Sequence, residues 1–292
     1  MAIPETQLET WSHQGAITTA SATANSIKGV LERFTQWPQG ISFDTYFQGS
    51  YKNSTNIRGD SDVDIVAQLR SVFRSNLTED QKRQLGHIPA NYTWQNFKDH
   101  VITALTLTYG PEIVLQGNKA IKVVGTAGRL SADVVPTLTY RRYSRVEEYA
   151  YVEGICFLTA NNGSLVINFP NQHYNNGVAK MANTQNNYKS IVRIFKNIKK
   201  FLVEANTITR ELAPSYFIEC FLYNVPNNNF IGATKHSIIQ NILNWLNLNR
   251  DWSGFVCQNG IQQLFGADST QWSETSSRSF IGSVNSLWNN WR

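Results

Sequence analysis

The sequence predicts an α+β protein of two lobes: a first lobe on a mixed β-sheet over residues 1–170, to which an N-terminal helix contributes, and a mainly helical lobe over residues 171–292. Three observations carry this. Short β-branched and aromatic runs separated by turn residues fill the first half, as half-buried strands do. Apolar residues at helical spacing dominate the second half, with Tyr188, Ile191, Phe195, Ile198 and Leu202 on one stripe. Between them, Asp62 and Asp64 sit one residue apart on an apolar strand behind a Gly-Ser turn, a pattern that carries chemistry.

The elements follow in order. Residues 13–36 read as a helix, with Ile27, Val30, Leu31 and Phe34 at helical spacing, ended by Trp37-Pro38-Gln39-Gly40. Residues 41–47 read as a strand with Ile41, Phe43 and Phe47 apolar. Gly49-Ser50 follows at once; glycine lets backbone approach a ligand, and Ser50 opens a helix whose free amides can face a phosphate. Val63, Ile65 and Val66 mark the next strand, and residues 71–91 read as a polar helix or mobile connection. Thr93 caps a helix over Trp94–Tyr109 that stops at Gly110-Pro111. Paired strands are expected at 112–116 and 120–124, a strand at 129–136, and a hairpin of 155–159 with 165–169. A long amphipathic helix is expected over 183–203, with further helices at 216–223 and 237–248.

The acids are the informative residues. In a strand, positions two apart share a face, so Asp62 and Asp64 point one way while Val63 and Ile65 pack behind them. Carboxylates that close repel each other, and a shared divalent cation holding a nucleoside triphosphate is the usual reason for them to coexist. Such a site wants a third acid. Asp133, flanked by Val134 and Val135 in another short strand, supplies it. Asp-x-Asp or Gly-Ser alone is common and structural; the ordered combination is much rarer.

Composition narrows the classes. A net charge of +5 suits a polyanionic substrate but is too mild to establish nucleic-acid binding. Cys156, Cys220 and Cys257 lie far apart, with neither zinc nor disulfide-framework spacing. No HExxH, Walker A or clear dinucleotide fingerprint is present. No signal peptide opens the chain and no apolar run is long enough to span a membrane, so a cytoplasmic monomer is expected. Between residues 180 and 210, seven cationic side chains face a single acid, and Lys189, Arg193, Lys196 and Lys200 share a helix face. A solvated face is the common fate of such a stripe; a phosphate-facing residue is the alternative.

Gly49-Ser50, the run Ser61-Asp62-Val63-Asp64-Ile65 and a distant Asp133 together resemble the polymerase-β-like nucleotidyltransferase superfamily. Phe169-Pro170, His173, Asn176-Gly177, Lys180, Thr184, Tyr188-Lys189, Val192-Arg193 and Lys196 narrow it. With Pro214-Ser215-Tyr216-Phe217-Ile218-Glu219 and Tyr223-Asn224-Val225-Pro226, they are similar to bacterial cGAS/DncV-like nucleotidyltransferases (CD-NTases), nearest clade E, over residues 47–226.

The resemblance implies a nucleotidyltransferase lobe and a helical lobe with the active cleft between them. It implies two Mg²⁺ ions, replaceable by Mn²⁺, on Asp62, Asp64 and Asp133. Gly49, Ser50, Lys196 and Ser215 would hold a donor triphosphate, Tyr216 would stack on its base or else pack in the core, and Asn176 would read a base edge. His173 belongs to the same base-reading region or caps a loop. ATP and a second NTP would be joined into a cyclic di- or trinucleotide, pyrimidine-containing in clade E, for antiphage signalling; RNA or another polyanion on the basic helical surface would activate the enzyme. Two rival readings are an RNA-primed terminal nucleotidyltransferase and a non-catalytic nucleic-acid-binding module. The intact acid trio speaks against the second, because a pseudoenzyme has no need of three acids together.

Overall fold

The computed structural model describes residues 2–15, 17–59, 62–249, 251–268 and 270–291. The elements in chain order are α1 (Glu5–Ser12), α2 (Thr18–Arg33), β1 (Phe43–Phe47), α3 (Gly49–Asn53), β2 (Asp62–Ser75), α4 (Glu79–Gln84), α5 (Trp94–Tyr109), β3 (Val114–Gln116), β4 (Ile121–Val123), β5 (Ser131–Arg145), β6 (Ala150–Leu158) and β7 (Leu165–Asn168). There follow α6 (Pro170–Asn183), α7 (Tyr188–Glu204), α8 (Ser215–Tyr223), a 3-10 turn at Asn227–Phe230, α9 (Lys235–Leu248) and α10 (Glu274–Asn289). The mixed sheet and the helical second half make this an α+β protein.

Two compact units emerge, and their boundary differs from a single cut in the sequence. One comprises Ala16–Tyr51 and Ser61–Pro170; the other comprises Met1–Gly15, Lys52–Asp60 and Asn171–Arg292. The helical unit thus takes two early segments. Leu8 of α1 joins its hydrophobic core, and side chains of α7 and α8 bond residues 53–58.

In the sheet unit the strands run in the order β1-β2-β5-β4-β3, with β6 on β5 and β7 on β6. Only β2 and β5 pair in parallel; the other pairings are antiparallel. Burial alternates at the start of both parallel strands. Val63, Ile65, Ala132 and Val134 are buried, while Asp62, Asp64 and Asp133 are half-buried. Phe97, Val101 and Leu105 of α5 and Ile27 and Leu31 of α2 are likewise buried. Helix α5 begins where Thr93 and Asn96 form a reciprocal capping box, and Trp94 Nε1 donates to Pro136 O at 2.8 Å. Strand β2 runs on to Ser75, beyond the expected end, through a register irregularity between Leu69 and Phe73 that keeps Phe73–Ser75 paired with β5. Residues 71–91, expected to carry a helix or a mobile connection, hold the end of β2 and then the short helix α4, capped by Thr78.

The helical unit buries the α7 stripe Tyr188, Ile191, Phe195, Ile198 and Leu202 against Phe217, Phe221, Ile238, Ile242 and Phe280. The single helix expected over 183–203 is broken at its start. Gln185 and Asn186 adopt φ of 49° and 63°, closing α6 before α7 begins at Tyr188. Helix α6 covers a segment where no helix was expected, and α10 was also passed over. Among the described residues no helix is long and apolar enough to cross a membrane.

Candidate active site

The sheet unit assembles the three acids by register. Asp64 and Asp133 are Cα partners across the parallel β2–β5 pair, and Asp62 lies two residues before Asp64 on the same face. The antiparallel β4 brings Lys122 beside Asp133, and its Nζ reaches Asp62 Oδ2 at 3.0 Å. Burial pushes the Asp133 carboxyl above its ordinary range, the Asp62 charge pushes it further, and Lys122 pulls it back.

Gly49 adjoins this group. Its φ is +68°, and a Cβ there would overlap Asp64 Oδ2. Both facts require glycine. Gln48 N donates to Asp64 O at 3.0 Å, tying the chain before the Gly-Ser turn to the acid's own backbone. Ser50, next in α3, is half-buried. Ser61, part of the motif in the sequence, lies outside the described residues.

By donor chemistry, three half-buried carboxylates on one face suit a hard divalent cation. Among the described residues, however, no three or more His, Cys, Asp or Glu side chains stand close enough together to hold a metal ion. In the present arrangement the Lys122 ammonium supplies positive charge at Asp62.

The helical unit holds the other predicted residues. Lys196 is 2% exposed, and its Nζ donates to Glu219 Oε1 at 2.6 Å and to Thr55 O and Oγ1 at 3.1 and 3.2 Å. Its charge is therefore spent inside the protein. Arg193 donates to Ser12 O and Ser54 O, both at 2.5 Å, and Lys200 Nζ to Arg58 O at 3.2 Å. Much of the cationic stripe thus meets backbone carbonyls rather than open solvent. Lys52 and Lys189 differ: their ammonium groups lie 4.6 and 5.5 Å from the Tyr174 ring centre.

Ser215 is exposed at the first position of α8. Tyr216 stacks on His173, ring centres 5.0 Å apart and planes inclined by 21°, with Trp272 at 5.8 Å on the same side chain. Asn176 donates from Nδ2 to Gln258 O at 2.9 Å.

Glu219 enters the sequence reading only as the end of the resembling run Pro214–Glu219, with no role assigned to it. It is 3% exposed and its carboxylate meets four partners: Lys196, His173 Nε2 at 3.2 Å, Thr55 Oγ1 at 2.6 Å and Asn53 Nδ2 at 3.2 Å. A carboxylate only accepts, so His173 carries its proton on Nε2. Burial alone would raise the Glu219 carboxyl; Lys196 and His173 outweigh it and hold the group well below the usual carboxylate range.

Comparison with known proteins places this arrangement. The cGAS/DncV-like nucleotidyltransferase C-terminal helical domain family matches residues 175–289. A cyclic UMP-AMP synthase of Rhodothermus marinus is 48% identical over 293 residues, covering 100% of this chain and 99% of the relative. The cyclic nucleotide synthase CdnE01 of Staphylococcus haemolyticus is 40% identical over 302 residues, 100% of both chains. The solved structure of the Rhodothermus marinus CdnE c-UMP-AMP synthase with Apcpp and Upnpp superposes with a TM-score of 0.92 at 47% identity, covering 99% of this chain and 97% of that one. The chain belongs to the cGAS/DncV-like nucleotidyltransferases, within their clade E, and is a nucleotidyltransferase.

Proposed function

We propose that this protein joins ATP and a second nucleoside triphosphate, UTP by preference, into a cyclic dinucleotide that serves as an antiphage signal in the bacterial cytoplasm. The observation that carries the transfer chemistry is the pairing of Asp64 with Asp133 across two parallel strands, with Asp62 on the same face. The choice of nucleotides rests on the 48% identity with a cyclic UMP-AMP synthase.

In this reading Asp62, Asp64 and Asp133 are the residues that hold divalent cations, two Mg²⁺ ions or Mn²⁺ in their place. Such ions, when bound, neutralise phosphate charge and acidify an attacking hydroxyl. Asp133 also receives the acceptor ribose proton. The hydroxyl oxygen forms a bond to the α-phosphorus, the α–β anhydride breaks, and pyrophosphate departs. A second transfer within the linear dinucleotide closes the ring and releases a second pyrophosphate. Gly49 backbone, Ser50 and Ser215 contact the donor phosphates; Lys52 and Lys189 supply positive charge to them. Tyr216 offers a base-stacking ring backed by His173. Asn176 reads a base edge through its amide, one of whose two Nδ2 hydrogens is engaged by Gln258 O. Lys196 acts from inside the fold, through Glu219 and Thr55.

The test is a reaction containing four NTPs and Mg²⁺ but no RNA primer, analysed by mass spectrometry after phosphatase treatment. A phosphatase-resistant cyclic product containing adenosine and uridine is expected. Dependence on an RNA primer, with extension of that primer, would contradict the reading. Adding long RNA tests activation by a polyanion, which should weaken as salt rises.

A further inference from the structure

Among the described residues Glu219 is the only buried acid, and its bonding exceeds what neutralising a lysine requires. One ion pair would satisfy Lys196, and a well-packed apolar pair would fill the same volume with no loss of stability. Instead Oε1 serves both Lys196 and Thr55, and Oε2 serves both Asn53 and His173. Two of the four donors belong to residues 52–60. Helix α7 adds Arg193 to Ser54 O, Lys196 to Thr55 O and Lys200 to Arg58 O. Residues 53–58 therefore lie in a lattice of bonds centred on one carboxylate. This segment is the connector that continues into the Gly49-Ser50 helix at one end and the Asp62–Asp64 strand at the other. The same carboxylate holds His173, on which Tyr216 stacks.

We propose that Glu219 is a positioning residue for nucleotidyl transfer: it fixes the connector between helix α3 and strand β2 through Asn53 and Thr55, and orients His173 behind Tyr216. The catalytic half of this statement rests on the reaction proposed above; the connector half does not. Charge neutralisation alone is the rival account, and the two predict different behaviour when the whole pair is replaced.

The experiment compares wild type, Glu219→Gln, the volume-conserving double variant Lys196→Met with Glu219→Leu, and Asp62→Asn, all as full-length protein. Amide hydrogen exchange over residues 52–60 is measured beside kcat and KM for ATP. Loss of a hydrogen bond to a charged group corresponds to about tenfold in an equilibrium. Glu219→Gln and the double variant should each quicken exchange over 52–60 by at least about that factor and lower kcat similarly, with KM for ATP changing far less. Asp62→Asn should lose turnover with exchange unchanged. Should Glu219→Gln fail to fold, Asn53→Ala combined with Thr55→Val removes only the connector's bonds and should give the same pattern. Unchanged exchange over 52–60, or wild-type kcat in the double variant, would overturn the proposal. Quickened exchange in variants of a protein whose wild type releases no pyrophosphate would uphold the connector role and overturn the proposed reaction.

Discussion

Gly49 shows how tightly single residues are constrained. Its left-handed φ costs an L-residue about 1–2 kcal/mol, and a side chain there also meets the Asp64 carboxylate. Gly49→Ala should lower melting temperature modestly and turnover severely, as checked by thermal melting beside pyrophosphate release. Lys196 behaves oppositely. Lys196→Ala leaves the Glu219 charge buried without its closest cation, so unfolding free energy should fall by about 3–5 kcal/mol, measurable by urea titration. Sequence disclosed Asp62 and Asp64 because period-two alternation puts them on one strand face, and Asp133 because an acid in an apolar run is costly unless paired. It did not disclose the role of Glu219. That residue sits in an apolar helix, and its connector partners lie 164 and 166 positions away. No local pattern encodes a contact of that range. The same limit applies to Lys196, where spacing reveals a helix face but not which way the face turns.

Helices and strands add their own pH behaviour. Helix α6 is pinned by Lys180, whose Nζ donates to Val225 O at 2.7 Å and Asn227 Oδ1 at 3.0 Å. Burial lowers its pKa from 10.5 to about 8. Between those values the unfolded chain binds more protons, so this group's contribution to stability rises with pH across that window. The stability of wild type relative to Lys180→Met should therefore improve between pH 8 and 10, as read from denaturant midpoints at each pH. Glu219 gives a dependence of the same sign in a more acidic window. Its depressed carboxyl stabilises the fold above the ordinary glutamate range and loses that contribution as pH falls below it. Element boundaries were legible where caps and breakers speak. Thr93 and Gly110 bracket α5, and its ends agree with the sequence reading. They were not legible where a weak helix former is carried by tertiary contacts. Asn175-Asn176-Gly177 disfavours a helix, yet α6 forms, with Gly177 facing Gln258 and Pro170 at the first helical position. Phe280, Ile281, Val284 and Trp288 of α10 carried a helical period that could have been found.

For the molecule as a whole, the α+β class and the change from sheet to helices near Pro170 follow from patterning. The transfer of residues 1–15 and 52–60 to the helical unit does not, because long-range bonds decide it. The three acids, drawn from β2 and β5, remain the centre of the account. On the reaction proposed above, loss of any one of these carboxylates removes several kcal/mol of transition-state stabilisation, on the order of a thousandfold in rate or more. The most direct test is pyrophosphate release from ATP and UTP by wild type and by Asp62→Asn, Asp64→Asn and Asp133→Asn, each matched for melting temperature. Sustained release by wild type with loss in all three variants is expected; a folded variant that turns over at the wild-type rate would contradict the shared role of the three carboxylates.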